Sequence, residues 1–457
     1  MTTILATPSS WPRILLANID PGDGAGAIGA ANGTGASADL TTLDGALKLG
    51  AFAGLRRAID VLGPAGTLAT IQTSGLRGRG GAGHATADKW RTAATTPADR
   101  RFVVANGYGA DPAVFIDATL MERNPFAVIE GLAIAAYTIG ATEGVIAVRA
   151  EYTGAIRRLE AALAEAEDAG FVGLDVLGSG WDLAVTVRTV QGAYMLGEET
   201  VLLKALEGKR GQPEQRPPFP AERGLFGQPT VVQNIATLIA VPWILVHGAD
   251  AFAAIGSPDA PGTMLVQVRG IGAEGIAEVP TGTPLREIVG LVGGAPAGHT
   301  LKAVLVGGPS GGLLPPEQLD TPYQFDALRA AGAHVGSGSV VLADERVCVV
   351  DLARLLTRFC ADEACGKTIP CRIGTRRLSE IGERITSGRP KPTDLQLITD
   401  LSHDIVESGL CDHERLTTLP FASGMRYFRS ELDQHILNSS CPAGVCHPIA
   451  VAGAGAH

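Results

Sequence analysis

No apolar run in this 457-residue chain approaches the ~20 residues that a membrane-spanning helix requires. Nor is there a basic surplus. Lys and Arg number 37 against 47 Asp and Glu, giving a net charge of −10, whereas non-specific nucleic-acid binding needs a basic face that displaces counterions. Met1 to Arg13 has no basic segment followed by an apolar core, which argues against a secretory signal. Cysteine is missing before Cys348, and the total of seven is odd, so a disulfide framework for an oxidising compartment is not expected. These absences point to a cytoplasmic protein, one that could still sit peripherally on a membrane complex. There is no internal repeat and no Walker lysine pattern.

What is present is ordinary globular composition, with 46% hydrophobic and 18% charged residues, in a chain long enough for two to four domains. The 59 glycines exceed the usual ~7% and imply tight turns and close packing. Residues 1–47, rich in Gly, Ala, Asn, Ser and Thr from Asp20 to Leu40, read as a flexible leader. Between residues 48 and 255, apolar strand-like runs (Phe102–Asn106, Val145–Val148) alternate with helical stretches (Phe52–Leu62, Ile129–Tyr137, Ile156–Asp168). Such alternation predicts an α/β domain with a largely parallel sheet, whose ligand crevice lies at the C-terminal strand ends. Texture changes at the linker 256–262, after which Thr263–Val268 alternates like a half-buried strand, so 256–345 reads as a smaller β-rich domain. From 346 to 440 the pattern is helical, at Val349–Phe359, Arg376–Ile385, Leu395–Glu407 and Met425–Ile436, and 441–457 forms a Cys/His tail.

Several stretches carry chemistry. In Ser74–Gly83 the glycines let a backbone approach a phosphate while Arg77 and Arg79 add charge, although a purely structural glycine turn has the same look. Glu198 and Glu199 stand at the start of a helix, either complementing its dipole or gripping ribose hydroxyls. Phe219, in the stiff run Pro217–Pro220, either faces a base or belongs to a plain connector. Cys365 and Cys371 within seven residues, followed by Cys411, have iron–sulfur ligand spacing with one member short. Cys441, Cys446 and His447 could hold Zn²⁺ with a fourth ligand from elsewhere, or form a plain tail. Cys348 reads as a buried hydrophobe, and His403, His413 and His435 as surface residues.

These stretches, in this order, together with Lys89-Trp90, Met121–Gly131, Glu207–Gly211, Gly307–Gly312 and Arg426-Tyr427-Phe428, resemble the NADH-binding flavoprotein subunit of respiratory complex I. Its counterparts in NAD-linked formate dehydrogenases and multisubunit hydrogenases share the pattern. The resemblance implies an α/β FMN-binding domain, a ubiquitin-like β-grasp domain and a C-terminal helical bundle holding a [4Fe–4S] cluster. It implies that Gly78, Arg79, Gly80, Gly81 and Lys89 line the flavin phosphate and ring, and that Asn106, Tyr194, Gly197, Glu198 and Asn234 complete the pocket. Glu199 would meet the NADH ribose, Phe219 would stack near the adenine, and Cys365, Cys371 and Cys411 would ligate the cluster. The implied activity is that of an NADH dehydrogenase subunit: hydride transfer to the flavin, then single electrons to iron–sulfur centres. The implied partners are other iron–sulfur subunits, including a thioredoxin-like [2Fe–2S] subunit.

The chain departs from that family at telling places. Tyr108 and Gly109 stand where carboxylates near the isoalloxazine are usual, with only Asp111 kept. His84-Ala85 replaces Phe-Pro, and Gln233 replaces the first of two asparagines. Thr368 stands where the second cluster cysteine is usual, and a hydroxyl is a far poorer iron ligand than a thiolate. An abnormal cluster, completed by Cys360 or a non-cysteine ligand, is the expectation if one forms. The alternative is a structural or adaptor subunit that keeps the fold and has shed cofactors.

Overall fold

The computed structural model describes residues 2–19, 39–270, 272–295 and 297–446; His447 and the stretch 20–38 lie outside them. Four strands form the central sheet: β1 (Phe102–Gly107), β2 (Glu143–Arg149), β3 (Ala184–Val190) and β4 (Thr230–Asn234), in the order β3-β2-β1-β4. β1 pairs in parallel with both β2 and β4, and β2 with β3. All of β1 except Asn106 is buried, which is why it reads as a continuous apolar run without alternation. The chain moves outward from β1 through β2 to β3, then returns to the other side of β1 with β4. The order therefore reverses between β1 and β4, and a ligand crevice belongs at the C-terminal ends of those two strands.

Helices cover the sheet. Pro125–Ile139 and Ile235–His247 are buried on nearly every side, as expected for helices apolar all round. Their approach requires Gly131, where a Cβ would lie 2.2 Å from the Leu238 carbonyl oxygen. Thr153–Asp168 is amphipathic, burying Ala155, Leu159, Ala162 and Ala166.

The chain divides into two compact units. The first comprises Met1–Gly192, Leu196–Gln267 and Gly275–Thr283; the second comprises Ala193–Met195, Val268–Glu274 and Pro284–His457. The stretch 256–345, expected as one β-rich domain, is shared between them. Most of the strands Thr263–Arg269 and Glu274–Pro280 falls to the first unit, and Leu301–Val306, Gly312–Leu314 and Ser339–Asp344 to the second.

The leader expectation is corrected over residues 2–19. Ile4 bridges to Ile276, and Ile4, Ile14, Leu15, Leu16 and Ile19 are buried. The N–H groups of Ile14, Leu15 and Leu16 donate to the Glu278 carboxylate at 2.8, 2.9 and 2.8 Å. The anchoring carboxylate lies more than two hundred residues away in sequence, so local composition gave no sign of it. Residues 43–47, also assigned to the leader, lie in the helix Leu43–Lys48, capped by Thr42.

In the second unit Leu301–Val306 pairs antiparallel with Gly312–Leu314 and Ser339–Asp344. The helical part follows the sequence pattern closely at Val349–Asp362, Arg376–Thr386 and Asp394–Ser408. Its core includes Val349, Val350, Ala353, Leu378, Ile381 and Phe421. The helix expected over Met425–Ile436 is two, Leu419–Tyr427 and Arg429–Leu437, interrupted at Phe428 with φ −124° and ψ 32°.

Candidate cofactor and metal sites

Asn234 ends β4 and pairs in register with Asn106, the next-to-last residue of β1, at the strand ends where a ligand crevice belongs. The Asn106 amide donates to the Gly197 carbonyl at 3.1 Å. Asn234 caps the following helix through the Ala236 N–H at 2.9 Å and donates to Asp117 at 3.0 Å. Burial pushes the Asp117 carboxyl up to about 6, against the lowering effect of that Asn234 bond. The glycine loop comes to the same place, because a Cβ on Gly80 would meet Asn234 Cβ at 3.3 Å. Gly81 has φ +108°, a backbone conformation open to glycine and strained for other residues.

Within the loop, the Gly78 N–H donates to the His84 carbonyl and the Arg79 N–H to Thr237 Oγ1, each at 2.8 Å. These two bonds commit the Gly78 and Arg79 amides within the protein. Arg79 itself is buried and spends its guanidinium on carbonyls, with Thr263 at 2.9 Å, Arg77 at 3.0 Å and Pro261. Burial, with Arg77 nearby, pulls its pKa down to about 9. Its side chain braces the loop from behind.

A second group forms around the start of the helix Glu199–Leu206. Glu198 is the N-cap, accepting from the Thr200 and Val201 N–H groups at 2.9 Å, and its other oxygen pairs with Arg216. Glu199 pairs with Lys89 Nζ at 2.8 Å and Arg216 at 3.1 Å. Burial raises its carboxyl, but Lys89, Arg216 and His84 outweigh this and hold it below the usual range. Lys89 also donates to the Val232 carbonyl at 3.1 Å. Arg216, which the sequence did not single out, lies 5.9 Å from the centroid of the Phe219 ring. That ring is 48% exposed, so it can offer a face to a planar ligand. Together these make an ionised carboxylate, two cations and an open aromatic.

Tyr108 and Gly109, where the family resemblance implies carboxylates, are engaged in packing. Tyr108 is 1% exposed and its hydroxyl donates to the Gly192 carbonyl. Gly109 has φ +54°, and a Cβ there would meet the Tyr152 hydroxyl at 2.7 Å, so Tyr152 takes the space a longer residue would need. Tyr194 is grouped with the second unit: its N–H donates to Glu363 at 2.7 Å, and its ring lies 5.5 Å from Phe359 and 5.7 Å from His413.

The second unit holds two groups of thiols. Cys371 lies in the turn Pro370–Thr375, and Cys411 caps the helix Asp412–Leu416. Burial pushes the Cys371 thiol up to about 12, and Glu414, Cys411, Cys365 and Cys360 all add to the rise. These groups all disfavour a Cys371 thiolate, an effect that a positively charged metal core would reverse. Cys365, Cys371 and Cys411 supply the kind of donor, a thiol, that an iron–sulfur group takes. At the fourth position Thr368 presents its hydroxyl to the Glu414 carboxylate, 2.8 Å away. His413, expected at the surface, is buried, with Nε2 2.9 Å from the Cys360 carbonyl oxygen.

The other group is Cys348, His435, Cys441 and Cys446, whose ligand atoms all lie within 4.8 Å of one another. His435 Nε2 is 3.4 Å from Cys348 Sγ and 3.5 Å from Cys446 Sγ. Three thiols and an imidazole at this separation could hold one metal ion. His435, expected at the surface, is fully buried, and Cys348, buried as expected, is also a candidate ligand. Cys441 and Cys446 keep the role proposed for them; their companion His447 lies outside the described residues. Burial raises the Cys441 thiol, yet the N–H groups of Cys446 and Val445 bring it down to about 7, favouring the ligating thiolate. The His435 Nδ1–H donates to the Glu431 carbonyl at 2.8 Å, which turns Nε2 toward the thiols.

A crevice at a sheet switch point with a glycine loop, followed by a thiol-bearing helical unit, marks a flavin- and cluster-carrying class. The chain belongs to the family in which a Nuo51 FMN-binding domain, matched at residues 71–243, precedes the NADH-ubiquinone oxidoreductase-F iron–sulfur binding region, matched at 351–435. It is 40% identical over 410 residues to the NADP-reducing hydrogenase subunit HndC of Solidesulfovibrio fructosivorans, covering 89% of this chain and 83% of that one. It is 41% identical over 387 residues to the F subunit of the NADH-quinone oxidoreductase of Mycobacterium tuberculosis, covering 83% and 86%. Among solved structures, the NAD⁺-reducing [NiFe]-hydrogenase in its H₂-reduced state matches with TM-score 0.75 and 35% identity, over 82% of this chain. The match spans 62% of that hydrogenase chain. Among the described residues, no helix is long and apolar enough to cross a membrane.

Proposed function

We propose that this chain is the NADH-oxidising flavoprotein subunit of a larger electron-transfer complex, passing electrons from NADH through FMN to iron–sulfur centres. The observation that carries this is the pairing of the switch-point crevice with the Glu199–Lys89–Arg216 group. FMN, when bound, supplies the conversion of two-electron hydride chemistry into single electrons. The protein's own part is positioning. Amides from Gly80 onward would hold the phosphate, and Asn106 and Asn234 would fix the crevice floor. Glu199 would accept from the ribose hydroxyls, where its negative charge disfavours a 2′-phosphate and so favours NADH over NADPH. Phe219 would cover the adenine. The stretch 256–345, with its strands and two short helices, supports the β-grasp fold that the family resemblance implies. A thioredoxin-like [2Fe–2S] subunit is the partner we infer, from the multisubunit complexes to which the relatives belong. The Cys348–His435–Cys441–Cys446 group would hold a structural Zn²⁺.

Flavin released on denaturing the purified chain, and flavin absorbance bleached by NADH, would support the enzyme reading. The same chain, reconstituted with FMN yet inert to NADH, would favour the adaptor reading. Glu199→Gln should reduce the preference for NADH over NADPH about tenfold or more. An unchanged preference would remove Glu199 from the ribose site.

A further inference from the structure

The fourth position of the cluster site is filled by more than a lost thiol. Glu414 is 1% exposed, and a carboxylate at that depth is costly unless it is bonded or neutralised. One of its oxygens accepts from the Leu410 N–H at 2.9 Å and the other from the Thr368 hydroxyl at 2.8 Å. Both of these donors are neutral, so neither cancels the charge. The Thr368 oxygen also receives the Cys371 N–H at 3.4 Å, so its hydrogen-bonding capacity is largely used. Thr368 thus works as a bracket that holds a carboxylate beside the thiols.

We propose that the cluster of this chain is bound by Cys365, Cys371, Cys411 and the Glu414 carboxylate, with Thr368 as the residue that positions it. This rests on the cluster-binding reading above. The carboxylate would bind as the anion, with no change in oxidation state on either side. A carboxylate oxygen is a harder ligand than a thiolate and suits the iron of a sulfide-rich cluster less well. The iron at Glu414 is accordingly the one most easily lost to oxidant or chelator.

The test is iron and sulfide content, with electron paramagnetic resonance, on the full chain reconstituted anaerobically. Wild type should hold about four irons per chain, and Glu414→Gln about three, with a three-iron signal in the oxidised state. Gln is close in size; its one oxygen can still accept from Leu410 while its NH2 donates to the Thr368 oxygen, so folding is preserved. Thr368→Val should keep about four irons but lose one faster to chelator, as a bracket would and a ligand would not. Thr368→Cys should hold about four irons whether or not Glu414 is replaced. A Glu414→Gln protein that keeps wild-type iron and spectra overturns the assignment, as does loss of the fourth iron on Cys360→Ser instead. A wild type with about three irons or none, beside a filled Thr368→Cys, also overturns it. If wild type and Thr368→Cys are both iron-free, the cluster reading itself fails, a different outcome from failure of the Glu414 ligand.

Discussion

The crevice of the first unit and the thiol groups of the second are assembled by different means. In the first, geometry comes from backbone. Strand ends, a glycine loop and side-chain amides are held by hydrogen bonds already made within the protein, such as Asn234 to Asp117 and Arg79 to three carbonyls. In the second, Cys348, His435, Cys441 and Cys446 face one another within 4.8 Å, an arrangement whose natural completion is an ion. One region should be sensitive to packing and protonation, the other to metal supply.

The largest effect should come from forcing a side chain into the first unit's helix contact. Gly131→Leu would drive a Cβ to 2.2 Å from the Leu238 carbonyl, and the cost should exceed about 3 kcal/mol. Denaturant unfolding of the purified variant measures it; a midpoint near wild type would mean the two helices separate easily. Next is Cys348→Ser, which should abolish metal binding at that group. With about 2–3 kcal/mol lost, the unfolding midpoint should fall by roughly 5–10 °C. Metal analysis and calorimetry with and without Zn²⁺ check it, and a midpoint indifferent to both would break the contrast between the regions.

The smallest expected effect is a pH dependence in the first unit. Glu130 accepts from the Leu55 N–H at 3.1 Å. Burial pushes its carboxyl up to about 7, against the lowering effect of the Phe52, Leu55 and Gly54 N–H groups. The folded chain therefore keeps a proton that the unfolded chain has already lost. That stability is fully present below the ordinary carboxylate range and is lost as pH rises through about 7. The loss should be about 2 kcal/mol between roughly pH 5 and 8, and Glu130→Gln should flatten it. Denaturation midpoints across that range measure the slope.

What could be read from sequence was local. β1 and the three well-bounded helices of the second unit follow from apolar runs and helical spacing, and the glycine loop and Cys365, Cys371 and Cys411 from spacing. What could not be read depends on residues far apart in the chain. Cys348 and His435 become neighbours across 87 positions, and neither carries a ligand-like spacing on its own. Glu278 anchors residues 14–16 from more than two hundred positions away, so a packed N-terminal segment looked like part of a leader. Arg79 was legible as a charge near a phosphate loop, but burial turned its guanidinium toward backbone. Glu414 had no signal beyond its place three residues after Cys411.

Glu431 links three features of the second unit. Its carboxylate accepts from the Val349 N–H at 2.9 Å and pairs with Lys302 at 2.7 Å, while its carbonyl holds the His435 ring. The imidazole is thereby oriented by folding, before any ion arrives. Rotational freedom that a floppy ligand would surrender on binding has already been given up. Capture should then be quick and accompanied by little backbone rearrangement. Amide hydrogen exchange in Arg429–Leu437 should slow on metal addition without a change in the pattern of protected residues.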